Sequence, residues 1–345
     1  MTSTRLSRAG PGRRKGGARR AASGETDRGR LYVEVTQRII AELEAGTVPW
    51  VTPWSAPDGS AAAAVGLPRN ALTGRPYSGI NILTLWGELF ARGYASQCWL
   101  TFRQAIQAGG CVRKGERGVG IVYADRFIPA AERERARDSG DEPKHVPFLR
   151  RSTLFNIAQC DGLRPGLAPE PVPLPEREIV PVAEAVIAAS GVRVVVQGAQ
   201  AYYAPGPDHV VVPPQPAFFE QVNYYRTVLH ELTHATGHAK RLGRDLGHAF
   251  GSKGYAREEL VAEMGSAFLC AALGIVPTVR HSDYIASWLE VLRADLSDDP
   301  AVRSMAGPRG RAIFRAASLA SKAADWLLAR HREANADAIA GRIAA

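Results

Sequence analysis

The chain has 345 residues, of which 46% are hydrophobic and 22% charged, enough for two domains with sizeable cores. No stretch approaches the ~20 apolar residues of a membrane span and no apolar signal core opens the chain, so a cytoplasmic protein with no membrane partner is expected. Four cysteines (Cys98, Cys111, Cys160, Cys270) without C-x-x-C spacing suggest neither a zinc ribbon nor a disulfide framework.

The formal charge of +9 is concentrated at the start, where residues 1–30 hold nine Lys/Arg and two acids. This segment, rich in Gly, Ser and Ala, reads as a disordered basic tail able to attract phosphate without specificity. Val33, Thr36, Ile40 and Leu43 then predict a helix over Leu31–Ala45, stopped by Gly46. The aromatic–proline segment from Pro49 to Trp54 cannot be regular helix. A turn at Asn70–Arg75 precedes helices at Asn81–Arg92 and Phe102–Ala108. Strand, glycine turn and strand follow from Gly109 to Tyr123. Residues 131–146 read as a charged surface insertion and Thr153–Ile157 as a strand. Six prolines from Pro165 to Pro181 mark a linker over 164–181.

Beyond the linker, 182–189 reads as helix and Val192–Val196, Ala201–Tyr203 and Val210–Val212 as strands. Phe218, Val222, Tyr225, Leu229 and Leu232 recur at helical spacing, with Pro216 in the first turn and Gly237 after the end. A glycine-punctuated loop leads to a helix over Tyr255–Phe268, then to helices at Tyr284–Ala294 and Arg311–Arg330. The expected fold is α+β in two domains: an N-terminal α+β domain at 31–163, and a small sheet followed by helices at 182–335.

His230-Glu-Leu-Thr-His234 carries the sharpest chemistry. Histidines four apart share a helix face, ~6 Å of rise between them, so two imidazoles can converge on one ion. Glu231 projects beside them as a general base. Lys240 stands where a metzincin would place its third histidine, which excludes that class. His238 would spread three ligands over two turns, so it reads as structural or as a support outside the ligand shell. Glu259 and Glu263 lie four apart on a later helix, and Glu259-Leu-Val-Ala-Glu263 resembles the Glu-x-x-x-Asp signature of thermolysin-like gluzincins. That resemblance implies Glu259 as third ligand and Glu263 as the acid that orients a histidine; the exchanged assignment stays open. Zinc is the expected ion, though manganese or cobalt would accept the same donors. His281 or Tyr284 would stabilise an oxyanion.

Trp50, Trp54, Trp86 and Trp99 fall within fifty residues, with Tyr77, Tyr94, Arg69, Arg75, Arg92, Arg103 and Arg113-Lys-Gly-Glu-Arg117 among them. Such a mixture can hold single-stranded nucleic acid, rings stacking on bases at ~1–3 kcal/mol each and cations meeting phosphates. Trp54, Arg75, Tyr77, Arg103, Arg113, Lys114 and Arg117 are the expected contacts; the competing role for any tryptophan is core packing.

Longer motifs sharpen this reading. Thr36-x-Arg-Ile-Ile-Ala-Glu-Leu-Glu-Ala-Gly46-x-x-Pro-Trp50-x-x-Pro-Trp54, Asn70-x-x-Thr-Gly-x-x-Tyr77-x-Gly-Ile-Asn81, Trp99-Leu-Thr-Phe-Arg-Gln-Ala105 and Phe155-Asn156 resemble the N-terminal domain of ArdC-type antirestriction proteins. Leu229 to His238 and Tyr255 to Glu263 resemble the zincin-like peptidase domain of the same proteins, and the similarity runs from about 31 to 330. It implies a single-stranded-DNA-binding domain joined to a metallopeptidase that acts on an unidentified protein or peptide. Such proteins are carried by mobile genetic elements and shield incoming DNA from restriction. The basic tail and the 131–146 stretch depart from that pattern. Two rivals share the DNA domain: a protection factor whose metal site only holds the fold, and a replication accessory. The intact Glu231 speaks against the first, and no acidic polymerase triad supports the second.

Overall fold

A computed structural model describes residues 17–51, 65–127, 135, 146–167, 176–249, 251–277, 284–299, 301–302 and 309–344. The N-terminal half opens on helix α1 (Gly17–Glu44). It continues with β1 (Arg69–Asn70), α2 (Ile80–Arg92), β2 (Cys98–Leu100), α3 (Phe102–Gln107), β3 (Cys111–Val112), β4 (Val119–Phe127), β5 (Val146–Asn156) and β6 (Cys160–Asp161). β1, β2, β5 and β4 form one sheet in that order, and β3 pairs with β6. Four side chains fix the local geometry. Asn70 accepts the Leu72 and Thr73 N–H groups and so makes the turn after β1. Thr101 and Gln104 form a capping box that starts α3. Asn81 on α2 accepts the Val122 N–H at 2.9 Å and donates back to the Val122 carbonyl, stitching helix to sheet.

In the C-terminal half, α4 (Glu176–Ala189) precedes β7 (Arg193–Val196), β8 (Tyr202–Ala204) and β9 (His209–Val212), which form a sheet in the order β7-β9-β8. Then come α5 (Gln221–Ala235), α6 (Lys253–Ala272), α7 (Ile285–Leu296) and α8 (Arg311–Ala344). From Glu259 to Ala271 every residue of α6 is buried, the mark of a helix enclosed on all sides. Buried alanines of α8, among them Ala316, Ala317 and Ala320, let its backbone lie close to α6. Where α5 crosses α6, a Cβ on Gly265 would sit 2.5 Å from Thr233 Cγ2, so the approach requires glycine.

Several boundaries differ from expectation. α1 reaches back to Gly17, through half of the segment expected to be disordered, while residues 1–16 lie outside the described residues. α4 begins at Glu176, inside the expected linker, and tolerates Pro181 near its start, where one missing N–H is a local loss. Pro216 belongs to a separate single turn (Gln215–Ala217), and α5 begins only at Gln221. The 131–146 insertion lies outside the described residues except for Arg135 and Val146, and Trp54 lies outside them too.

The larger correction concerns the tryptophans. Trp50, Trp86 and Trp99 are fully buried. The first two cross between the halves: Trp50 packs edge-on against Trp288 at 5.4 Å and Trp86 against Phe268 at 5.7 Å. α1 docks the same way. Its Thr36 hydroxyl donates to the Gly310 carbonyl, and Tyr32 meets Phe314 at 4.6 Å. Gly310 has φ +78°, and a Cβ there would strike the Tyr32 carbonyl oxygen at 2.5 Å. The two domains therefore share one continuous hydrophobic core. Among the described residues no helix is long and apolar enough to cross a membrane.

Candidate metal centre

α5 delivers His230, Glu231 and His234 to the floor of an open cleft of ≈ 600 Å³, and α6 delivers Glu259 and Glu258 beside them. Tyr202 and Tyr203 of β8, with Tyr255 and Tyr284, form its walls. The His230 and His234 ring centroids are 5.0 Å apart, as one turn of shared helix face dictates. His230 Nε2 lies 3.5 Å from Glu259 Oε2, and His234 Nε2 lies 3.5 Å from Glu259 Oε1. These three residues offer one donor atom each, all within 4.8 Å of one another. Ligands ~2.0–2.2 Å from a tetrahedral ion sit ~3.4 Å from each other, so each histidine already stands at ligand spacing from Glu259 and the set suits a single cation.

The outward ring nitrogens are backed by two further acids. His230 Nδ1 lies 3.6 Å from Glu263 Oε1, and His234 Nδ1 lies 3.3 Å from Glu258 Oε1. A carboxylate at Nδ1 holds the proton there and leaves Nε2 free to bind. Burial disfavours a charged His234, yet Glu258 and Glu259 push its pKa up to about 10. Burial likewise works against a charged Glu259, but the two histidines hold it well below the usual carboxylate range. The cluster is built around a positive charge.

Glu258 is itself held. Arg244, nearly buried, grips both its oxygens at 2.7 and 3.1 Å and donates to the Thr233 carbonyl and the Thr236 hydroxyl at the end of α5. Arg241 caps the Ala235 carbonyl at 2.6 Å and pairs with Asp208, whose pKa it lowers to about 2. Two cations thus satisfy the last carbonyls of the histidine-bearing helix. Tyr255, one turn before Glu259, meets the Tyr284 hydroxyl at 3.2 Å; burial, that contact and Glu259 all raise its pKa.

The structure brings together His230, Glu231, His234 and Glu259, with Glu263 behind His230. His238 is elsewhere: α5 ends at Ala235, and beyond it the His238 Nδ1 accepts the Lys240 N–H and faces Asp208 at 3.8 Å. His281 lies outside the described residues. Sequence reasoning missed Glu258, Arg244 and Tyr255. The signal for Glu258 was a count: two ligand histidines need two outer acids besides the shared ligand, and α6 carries three.

In the N-terminal half, Arg75, Arg103, Arg113, Lys114 and Arg117 are all exposed. Arg113 is engaged by Glu116 at 2.8 Å, Asp161 at 3.4 Å and the Ala158 carbonyl at 2.7 Å. Tyr77 is half-buried, its hydroxyl accepting from Asn70 at 3.5 Å, and burial raises its pKa.

A histidine-bearing helix crossed by an acid-bearing one beside a small sheet defines a zincin-like metallopeptidase domain, here joined to an α+β N-terminal domain. Residues 181–302 match the family described as zincin-like metallopeptidase, and residues 29–155 match the N-terminal domain of the anti-restriction factor ArdC. With these two matches in order along one chain, the protein belongs to the ArdC antirestriction family. Solved structures of the antirestriction ArdC protein from plasmid R388 are 36% identical to it. The metal-free form aligns at a TM-score of 0.68 over 88% of this chain and 98% of its own. The Mn(II)-bound form aligns at 0.67 over 87% and 98%. An uncharacterized protein of Sinorhizobium fredii, y4eC, is 42% identical over 318 residues, 90% of this chain and 95% of that protein. DNA primase TraC of Escherichia coli is 37% identical over 310 residues, 86% of this chain but only 20% of TraC.

Proposed function

We propose that this antirestriction protein is a divalent-metal-dependent peptidase whose N-terminal half engages single-stranded DNA. One observation carries the hydrolytic reading: three protein donors and an additional carboxylate, Glu231, meet at the floor of an open cleft. Structural zinc sites are closed by four protein ligands, whereas catalytic sites keep three and leave a position for water or substrate. The R388 protein was solved both without metal and with Mn(II), and the two forms match this chain almost equally. A fold that survives loss of the ion does not need it as a brace.

His230, His234 and Glu259 would hold the ion, which supplies Lewis acidity toward a scissile carbonyl. Zinc and manganese both suit two imidazoles and a carboxylate. Glu258 holds the His234 Nδ1 proton, and Glu263, 3.6 Å from His230 Nδ1, favours a proton there by its charge, so both Nε2 lone pairs would point inward. Glu231, 4% exposed, takes a proton from the attacking water and returns it to the leaving amine. Burial raises the Tyr255 pKa, so its hydroxyl stays protonated at the cleft wall, where it shares a hydrogen bond with Tyr284. Among the described residues β8 is an edge strand, and its residues border the cleft, so an extended peptide can pair along it.

Elemental analysis of the purified full chain, paired with cleavage of a mixed peptide library, tests the reading. Glu231→Gln should keep one ion per chain and lose cleavage, while His234→Ala should lose both. Full metal occupancy in His234→Ala, or undiminished cleavage in Glu231→Gln, would sink it. The same measurement identifies the metal.

A further inference from the structure

With Trp50, Trp86 and Trp99 enclosed, they cannot stack on a base, yet one side of the N-terminal half carries bare apolar surface. α3 is anchored by Ala105, which packs among Ala71, Cys98 and Leu100. Its opposite side presents Phe102 and Ile106, 54% and 58% exposed, at the i and i+4 positions of one face. A short surface helix ordinarily turns polar residues outward there. The Phe102 ring leans edge-on against Phe155, centroids 6.4 Å apart, so it is held rather than loose. The turn between β3 and β4 packs against Phe155: a Cβ on Gly118 would lie 3.0 Å from its ring. That turn carries Lys114 and Arg117, and Arg103 follows Phe102 directly. All three cations are exposed, and none enters an ion pair among the described residues.

We propose that the Phe102–Ile106 face of α3, flanked by Arg103, Lys114 and Arg117, is the stacking platform for single-stranded DNA. This rests on the DNA reading above and deepens it to named residues. Charge decides the occupant. A held, solvent-facing ring beside unpaired cations matches a base with its adjoining phosphates, whereas an apolar protein partner would leave three charges to be desolvated. An isolated exposed phenylalanine would mean little. Here ring and second apolar residue share one helix face, Arg103 adjoins the ring in sequence, and the turn that carries Lys114 and Arg117 packs at Gly118 against the Phe155 ring beneath it.

The test is binding of a labelled thymine homopolymer to the full-length chain across a salt series. Phe102→Ala should weaken binding about tenfold and leave the salt dependence unchanged, because a ring contributes stacking and no counterion release. Phe102→Tyr should bind as the parent does. In Phe102→Trp the new indole fluorescence should be quenched on binding. With its ring more than half exposed, position 102 should tolerate all three changes, which a thermal melt checks. Parent-like binding by Phe102→Ala, or an equal loss in Phe102→Tyr, overturns the platform while the DNA reading stands. A parent chain that binds no single strand at any salt overturns the DNA reading itself. Loss of self-association in Phe102→Ala with DNA binding intact assigns the face to a second copy and also overturns the platform.

Discussion

The metal centre and the DNA-facing half are built from residues equally conspicuous in the sequence, and they behave differently when folded. At the metal centre all the donors come from two helices, so 3.6-residue periodicity decides which side chains share a face. His230 and His234 must converge once α5 is a helix. In the N-terminal half the aromatics lie on short elements and turns, and their facing depends on partners far along the chain. Trp50 is buried because Trp288 lies over it, and Trp86 because Phe268 does. Local spacing can report convergence within a helix; it cannot report burial against an element more than a hundred residues away.

The comparison is tested hardest at the shared core. Trp86→Ala should cost ~3–5 kcal/mol, as buried large-to-small changes do, and should lower the stability of the whole chain. Residues 31–163 expressed alone should fail to fold, since Trp50, Trp86 and the inner face of α1 would lose their cover. Denaturant unfolding followed by intrinsic fluorescence reads both outcomes. A stable 31–163 fragment, or a Trp86→Ala chain as stable as the parent, would show two independent domains.

Next in size is the helix crossing that sets the metal centre. Gly265→Ala places a methyl where Thr233 Cγ2 stands, 2.5 Å away, and Thr233 is buried and β-branched. One of the two helices must shift, at ~1–3 kcal/mol. Because α5 holds the histidines and α6 holds Glu259, the same shift should weaken metal binding. The double change Gly265→Ala with Thr233→Ser removes the obstructing methyl and should restore both stability and affinity. Failure of that rescue would mean the crossing is not what positions the donors.

What could be read beforehand follows the same division. The order of helices and strands was legible because hydrophobic periodicity is local, and the Glu259–Glu263 pair because four residues span one helical turn. Pro216 misled because proline suits a first helical turn, yet here it closes a separate turn before α5. The linker misled because Pro181 reads as a breaker although α4 absorbs it near its start. His238 continued the four-residue spacing past Ala235, where the helix had already ended. Arg244 was invisible: its partner Glu258 is reached only when the loop after α5 folds back over the helix terminus.

A finer test asks whether the two histidines are supported alike. Glu258→Gln and Glu263→Gln should each lower metal affinity ~10–100-fold, measured by competition with a chelator, since each loses the acid behind one Nδ1. Arg244→Met should act in the same direction as Glu258→Gln, and the double variant should be no worse than the more severe single one. Additive losses would separate Arg244 from the metal centre and confine it to capping α5.

The smallest effect separates cations that look equivalent in the sequence. Arg113, Lys114 and Arg117 fall in one turn and are all exposed. Arg113 is drawn to Glu116 and Asp161 and donates to the Ala158 carbonyl, so its charge is largely matched inside the protein. Lys114 and Arg117 enter no ion pair among the described residues and are free to meet phosphates. Each phosphate contact on a single strand contributes ~0.7 to the slope of log affinity against log salt. Lys114→Ala and Arg117→Ala should therefore each flatten the slope by about that amount. Arg113→Ala should barely change it, and should instead loosen the packing of the β3–β4 turn on the segment before β6 through loss of the Ala158 contact. If the three variants flatten the slope equally, Arg113 exchanges its internal acids for a phosphate on binding, and the resting ion pairs are no guide to which cations reach DNA.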